Sequence, residues 1–137
     1  MKGLMYVIGI TVIFVVLLLA YIRLAPSDAS RWHVSVTATT SADRTGGAIR
    51  VLRVDEGALR RVDAAARALP RTRMLAGSVE EGRITYITRS RWIGFPDYTT
   101  VEHSDGLLRM HARLRFGRSD LGVNAERLQR LLAAAEG

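Results

Sequence analysis

One uncharged apolar run near the N-terminus constrains this 137-residue chain more than any other feature. The run covers 19 residues, from Leu4 to Ile22. As an α-helix it would be about 28 Å long, close to the roughly 30 Å hydrocarbon core of a bilayer. It is also longer than the apolar core of about 7–15 residues that is typical of a cleaved signal peptide. We therefore expect residues 1–23 to form an uncleaved transmembrane signal-anchor; cleavage near Ser27 and Ala29 is the alternative.

The charges beside this run bear on its orientation in the membrane. Lys2 precedes the run, whereas Arg23 and Arg31 follow it, and this balance alone favours a cytoplasmic C-terminus. The charge rule weakens for long translocated domains, and a single N-terminal apolar segment commonly acts as a signal-anchor. We therefore expect a single-pass protein of the bacterial inner membrane with a periplasmic C-terminal domain; a cytoplasmic domain is the alternative.

The rest of the chain has the composition of one small globular domain. Hydrophobic residues make up 48% and charged residues 24% of the sequence, which is not the balance of a disordered chain. The absence of cysteine excludes a disulfide framework, a thiolate metal site and a cysteine nucleophile. Pro26 ends the helical pattern, so residues 24–30 are expected to link the anchor to a domain over residues 31–137.

Alternating strand and helix signals predict an α+β fold for this domain. Strands are expected over residues 32–37, 49–54, 72–79 and 83–90, a loop over 41–47, and helices over 56–69 and 124–135. Asp55 and Asn124 are the expected N-caps of the two helices. With a further hairpin near residue 105, this order is typical of an antiparallel sheet with two helices on one face.

That hairpin carries the clearest pattern in the sequence. Apolar and basic or titratable residues alternate between residues 108 and 116, so a strand there has one apolar face and one basic face. Asp105-Gly106 predicts a two-residue turn, which fixes the register. The expected cross-strand pairs are Val101 with Met110, Glu102 with Arg109, Thr100 with His111 and Tyr98 with Arg113. The second of these is an opposite-charge pair and the last a cation–π pair.

The basic face of this strand is the candidate binding surface. It comprises Arg109, His111, Arg113 and Arg115, extended by Arg118 and Ser119 in the next turn. Because arginine forms bidentate bonds with phosphate and carboxylate, the surface is a candidate site for an anion or an anionic partner. A solvated sheet face is the alternative. The net charge of +7 favours membrane lipid as a partner, whereas only 7% aromatic residues and no recognisable motif argue against nucleic acid.

The sequence contains no recognisable catalytic or cofactor motif. His33, His103 and His111 are far apart, and no HExxH, glycine-rich phosphate loop or GxSxG occurs. We therefore expect no metal and no cofactor, and name no catalytic residue. The favoured function is a non-enzymatic interaction or accessory module, for example a small subunit bound to another integral membrane protein. An envelope hydrolase, or an anionic-lipid-binding domain using Arg113, Arg115 and Arg118, remains the alternative.

Three short segments in the C-terminal half carry a family resemblance. They are Leu69-Pro70-Arg71-Thr72, Gly94-Phe95-Pro96-Asp97 and, most specifically, residues 116–124 (FGRSDLGVN). Together they resemble the uncharacterised domain of unknown function 1499 family of bacteria and plastids. The resemblance implies a small exported or membrane-anchored protein and no particular reaction. We interpret seven motif residues structurally: Pro70, Phe95, Asp97, Gly117, Asp120, Gly122 and Asn124. Among them, Asp120 is expected to be a turn acceptor, and the two glycines to have positive φ.

Overall fold

In the computed structural model, which describes residues 1–137, the chain forms an apolar N-terminal helix followed by an α+β domain. Helices α1 to α4 cover Lys2–Leu24, Ala29–Trp32, Ala58–Ala68 and Val123–Glu136. Strands β1 to β6 cover Ala42–Arg44, Gly47–Arg53, Thr72–Ser78, Arg83–Arg89, Pro96–Ser104 and Leu107–Leu114. The expected α+β class is confirmed.

Helix α1 is the one helix that is long and apolar enough to cross a membrane. Its most apolar stretch has no buried residue, and only Ile22 near its C-terminal end is buried. The helix ends at Leu24 because Ala25 adopts extended geometry with ψ at 125°, and Pro26 then lacks the amide that would continue the helix.

The six strands form one antiparallel sheet in the order β1-β2-β6-β5-β4-β3. Strands β5 and β6 pair in the predicted register, with Val101 opposite Met110 and Tyr98 opposite Arg113. Asp105 and Gly106 have φ values of 54° and 71°, the positive values that a tight two-residue hairpin turn needs at both positions. The hairpin prediction is confirmed.

One face of the sheet packs against helices α3 and α4, as expected. Each helix has an apolar stripe at helical spacing, and the two stripes meet the alternate apolar residues of the sheet. The fully or almost fully buried residues of this core include Leu59, Val62, Ala66, Val101, Leu108, Met110, Leu128, Leu131 and Ala135. The sheet's other face, here called the second face, carries the basic side chains of β6.

The expected strand over residues 32–37 is wrong, because residues 33–38 have no regular structure. The first strand is instead β1, inside the expected loop, and Ala42 there lies opposite Ile49 of β2. The alternation in residues 32–37 has another cause: His33 and Ser35 both bind polar groups on the second face. This segment lies across the sheet and not within it.

The expectation that Asn124 caps the last helix is also wrong. Helix α4 begins at Val123, after Gly122, whose φ is 82°. The carboxylate of Asp120 accepts hydrogen bonds from the amides of Gly122 and Asn124, at 3.0 and 3.1 Å. Asp120 therefore satisfies the helix amides that a cap would serve, and Asn124 lies fully buried in the first turn.

Candidate functional site

Residues 25–36, here called the juxtamembrane segment, cover the second face of the sheet. The indole ring of Trp32 stacks on the ring of Tyr98, with ring centres 3.9 Å apart and planes 9° apart. The hydroxyl groups of Ser27 and Tyr98 are 2.6 Å apart, at hydrogen-bond distance. Ser27 of the expected linker and Trp32 of the expected first strand thus both contact the fully buried Tyr98 in the middle of the sheet.

The other end of the juxtamembrane segment is also bound to the second face. Nδ1 of His33 is 2.9 Å from the hydroxyl of Thr85. The carboxylate of Glu102 accepts hydrogen bonds from the hydroxyl of Ser35 and, at 3.0 Å, from the amide of Val36. These bonds use the carboxylate that was expected to pair with the arginine opposite it on β6.

Two arginines of the predicted binding surface hold the juxtamembrane segment in place. Arg113 donates a hydrogen bond to the carbonyl oxygen of Trp32 at 2.6 Å, and its guanidinium lies 5.4 Å from the centre of the Trp32 ring. Arg115 donates to the carbonyl oxygen of Pro26 at 2.9 Å and to the hydroxyl of Tyr98 at 3.2 Å. Burial lowers the pKa of Arg113. The predicted cation–π contact of Arg113 is made with Trp32, which occupies the exposed side of Tyr98.

The other four residues of the predicted surface lie in three different environments. Arg109 donates to the hydroxyl of Ser104 at 2.9 Å. His111 is partly buried, and burial together with the nearby Arg113 and Arg44 lowers its pKa to about 4. Arg118 and Ser119 are exposed on the turn after β6. The structure therefore does not gather the six residues into a single open pocket.

The three motif segments converge at one end of the sheet. Residues of 69–71 face residues of α4 across a cavity of about 150 Å³. Residues of 95–97 and 116–120 line a second cavity of about 280 Å³. Segments that are distant in sequence thus meet where β5 begins and α4 begins.

A buried polar cluster lies at this meeting point. The side-chain amide of Asn124 donates to Oδ2 of Asp97 at 3.3 Å, and Nη1 of Arg127 lies 3.4 Å from the same oxygen. Arg127 also donates to the side-chain oxygen of Asn124. Burial raises the pKa of Asp97, and Arg127 opposes that shift. The cluster joins β5 to α4, and both the nitrogen and the oxygen of the Asn124 side chain are hydrogen-bonded within it.

Sequence reasoning missed the largest cavity, which has a volume of about 700 Å³ and lies beside the end of α1. Five arginines line it: Arg23, Arg71, Arg73, Arg89 and Arg91. They come from three separate parts of the chain, so no linear motif connects them. The available signal was the Arg-x-Arg spacing at the start of β3 and the end of β4, since a period of two favours one face of a strand.

The structure brings together no group of three His, Asp or Glu side chains suited to a metal ion. What it does show is a helix able to span a membrane, joined through an ordered juxtamembrane segment to a six-stranded α+β domain. The chain therefore belongs to the class of α+β domains that are joined to an apolar N-terminal helix.

Residues 23–134 match the model of a family described as a protein of unknown function, DUF1499, and the chain belongs to this family. The resemblance drawn from the three motifs is thereby confirmed. The matched region begins at Arg23, so it includes the juxtamembrane segment along with the sheet. No curated protein matches the chain.

Proposed function

We propose that this chain is a signal-anchored protein of the bacterial inner membrane, with its domain in the periplasm acting as a non-enzymatic interaction module for another integral membrane protein. The observation that carries the proposal is the contrast in burial between the apolar stretch of α1 and its C-terminal end. The most apolar stretch of the helix has no buried residue, whereas Ile22 and Ala25 are only 5% and 6% exposed. The helix surface is thus free to pack against lipid or a second helix, while its C-terminal end is fixed to the domain.

Contacts at that end support a fixed position of the domain near the bilayer. The guanidinium of Arg23 donates to the carbonyl oxygens of Trp92 and Ile93, at 2.8 and 3.1 Å. The ring of Tyr21 meets the ring of Phe116 edge-on, with centres 6.1 Å apart. Because both contacts involve the last turn of α1, a partner bound to the helix would meet the domain in one orientation.

The juxtamembrane segment supports retention of the apolar helix. Cleavage after Ala29 would remove the Pro26 carbonyl that binds Arg115 and the Ser27 hydroxyl that binds Tyr98. Part of the second face would then lose its cover, and the Tyr98 hydroxyl and Arg115 would keep only their bond to each other. Each lost hydrogen bond typically costs about 0.5–1.5 kcal/mol.

The same contacts favour an interaction module over a hydrolase. A hydrolase that used the predicted surface on β6 would need the guanidinium groups of that surface to be free to bind its anionic substrate. Arg113 and Arg115 instead donate to carbonyl oxygens of Trp32 and Pro26. Their arrangement supports a role in holding the chain's own backbone.

The orientation is tested by fusing alkaline phosphatase after Gly137, with green fluorescent protein at the same point as the matched control. Because alkaline phosphatase folds in the oxidising periplasm, we expect an active phosphatase fusion and a dark fluorescent-protein fusion. An inactive phosphatase with a bright fluorescent protein would overturn the periplasmic placement.

The interaction role is tested by native mass spectrometry of the full-length chain purified in a mild detergent. We expect a second membrane protein at fixed stoichiometry. A matched variant replaces residues 4–19, all exposed, with an alternating Leu-Ala sequence of equal length, which keeps the anchor and the Tyr21 and Ile22 contacts with the domain and removes the side-chain pattern of the helix. Loss of the partner in this variant supports contact through α1. A lone monomer in both samples overturns the proposal.

A further inference from the structure

We propose that the arginine-lined cavity beside the end of α1 binds the phosphate group of an anionic phospholipid. The cavity volume of about 700 Å³ lies within the roughly 300–1,000 Å³ typical of ligand sites. No Asp or Glu lines it, and none of its five arginines belongs to an ion pair of the chain. The cavity therefore concentrates positive charge without an internal counter-ion.

Some guanidinium groups hold the cavity in shape. Nε of Arg71 donates to the carbonyl oxygen of Arg89 at 3.1 Å, and Nη1 of Arg89 donates to the carbonyl oxygen of Gly94 at 2.8 Å. Each bond uses one nitrogen of a group that has three. The remaining N–H groups are available for a phosphate, which a planar guanidinium binds through two parallel hydrogen bonds.

The side chains of two further arginines form no hydrogen bond within the chain. Arg73 is exposed on β3, the edge strand of the sheet, and Arg91 lies over the ring of Trp92, with its guanidinium 4.8 Å from the ring centre. Neither side chain is needed to satisfy a buried group. These two are therefore the members of the site most directly free to contact a ligand.

Arg71 has an unusual backbone for its residue type. It is one of three non-glycine residues with positive φ, at 55°. Glycine adopts this geometry more readily than arginine does. The backbone conformation at position 71 therefore favours glycine. We attribute the presence of arginine to the function of its guanidinium group.

The position of the cavity favours a lipid over a soluble anion. Its lining includes Arg23 and Leu24, the last two residues of α1, so the cavity opens at headgroup depth when that helix crosses a bilayer. Between the lining residues 91 and 94, Trp92 is 78% exposed. The loop that carries Trp92 is bonded to Arg23 at the end of α1, and tryptophan is enriched at the membrane interface. The inference rests on the proposed anchoring and is independent of orientation and partner.

The test uses full-length protein in lipid nanodiscs and in mild detergent. Native mass spectrometry measures binding of phosphatidylglycerol and, as the neutral comparison, phosphatidylcholine. The cavity variant is Arg73→Gln with Arg91→Gln. The matched control is Arg60→Gln with Arg130→Gln, which removes the same charge from exposed positions on the helices that cover the opposite face.

We expect the unaltered protein to prefer phosphatidylglycerol and the cavity variant to bind it roughly 25-fold more weakly, because each of the two basic residues near an anionic surface contributes roughly fivefold. The control variant should stay within about twofold. Arg71→Gly should also weaken binding with little change in thermal stability, since glycine suits the backbone there and offsets the loss of the exposed bond to the Arg89 carbonyl. Equal weakening in both double variants, or no lipid preference, would overturn the inference.

A competition arm separates the lipid from a free phosphate compound. Glycerophosphoglycerol, the deacylated headgroup, carries the same phosphodiester without acyl chains, and we expect it to displace phosphatidylglycerol only at far higher concentration. Displacement at equal concentration would overturn the assignment to a lipid. A protein that leaves the bilayer after reconstitution would overturn the anchoring and this inference together, whereas an inserted protein without preference would overturn this inference alone.

Discussion

The indole ring of Trp32 lies flat on the phenol ring of Tyr98, with ring centres 3.9 Å apart. Tyr98 is fully buried in β5, near the middle of the sheet, whereas Trp32 belongs to the segment that leaves the apolar helix. The stack therefore fixes the path of the chain from α1 across the second face. Offset and stacked aromatic pairs contribute about 0.5–1.5 kcal/mol beyond the area they bury.

Replacing Trp32 with alanine should destabilise the domain by about 2–3 kcal/mol, because a large ring is lost and the ring of Tyr98 is uncovered. Guanidinium unfolding of the full-length protein in detergent, followed by circular dichroism, measures the change. Trp92→Ala is the control, since that side chain is 78% exposed and should change the free energy of unfolding by no more than about 0.5 kcal/mol. Equal losses in the two variants would contradict the stacking role.

Arg113→Gln should loosen the juxtamembrane segment, because it removes the donor to the Trp32 carbonyl oxygen. Limited digestion with a non-specific protease, followed by mass spectrometry, should show faster cleavage within residues 25–36. Arg109→Gln is the matched control on the same strand, since Arg109 bonds only to Ser104 within its own hairpin. An unchanged cleavage rate in the Arg113 variant would show that the segment is held by other contacts.

Local patterns predicted the β5–β6 hairpin, while contacts between distant residues decided what covers it. The alternation over residues 108–116 and the Asp105-Gly106 turn specify face and register without reference to the rest of the chain. The same alternation cannot tell a solvated face from a covered one. The bond between Arg113 and Trp32 joins residues 81 positions apart, and no periodicity reports it.

The start of α4 shows a second limit of sequence patterns. Asp120 and Asn124 both have side chains suited to capping a helix, and the sequence pattern predicts Asn124 as the cap. The positive φ of Gly122 lets the helix begin at Val123, which leaves the capping bonds to Asp120. Asn124 then enters the buried cluster, a role that depends on the position of Asp97 some 27 residues earlier.

Stability should decrease in mild acid because of His111. Its pKa in the folded protein is about 4, below the ordinary 6.5, since burial and nearby arginines disfavour the charged imidazole. The unfolded chain therefore takes up this proton near pH 6.5, whereas the folded chain does so only near pH 4. The contribution of His111 to the free energy of unfolding should be fully present above about pH 6.5 and should decrease as the pH falls toward 4. Burial also lowers the pKa of His33, which adds to the same trend.

Urea unfolding at pH 7 and pH 5 measures this effect, with His111→Gln as the comparison. The free energy of unfolding of this variant should differ less between pH 7 and pH 5 than that of the unaltered protein. The raised pKa of Asp97 acts in the opposite direction, because its folded carboxyl group takes up a proton before the unfolded one does. An NMR titration of His111 with a midpoint near 6.5 would contradict the prediction.

Asn124→Ala should destabilise the domain by about 2 kcal/mol. The change removes the buried side-chain amide that bonds to both Asp97 and Arg127 and leaves them only their 3.4 Å contact with each other, and the loss of a buried hydrogen-bond partner costs about 1–3 kcal/mol. Gln129→Ala is the control on the same helix, because Gln129 is exposed. Chemical unfolding of both variants measures the difference. A loss of less than about 0.5 kcal/mol for Asn124→Ala would show that the cluster does not tie α4 to β5.

Trp92 should lie at the membrane interface, because its loop is bonded to Arg23 at the end of α1 and its side chain is 78% exposed. The chain has two tryptophans, so Trp32→Phe leaves Trp92 as the only one and retains a ring to stack on Tyr98. In vesicles containing phospholipid brominated near the headgroup, the fluorescence of this variant should be strongly quenched. The reciprocal variant, Trp92→Phe, should be quenched only weakly, since Trp32 is packed on the sheet. Quenching of the Trp32→Phe variant as weak as that of the Trp92→Phe variant would place the loop away from the bilayer.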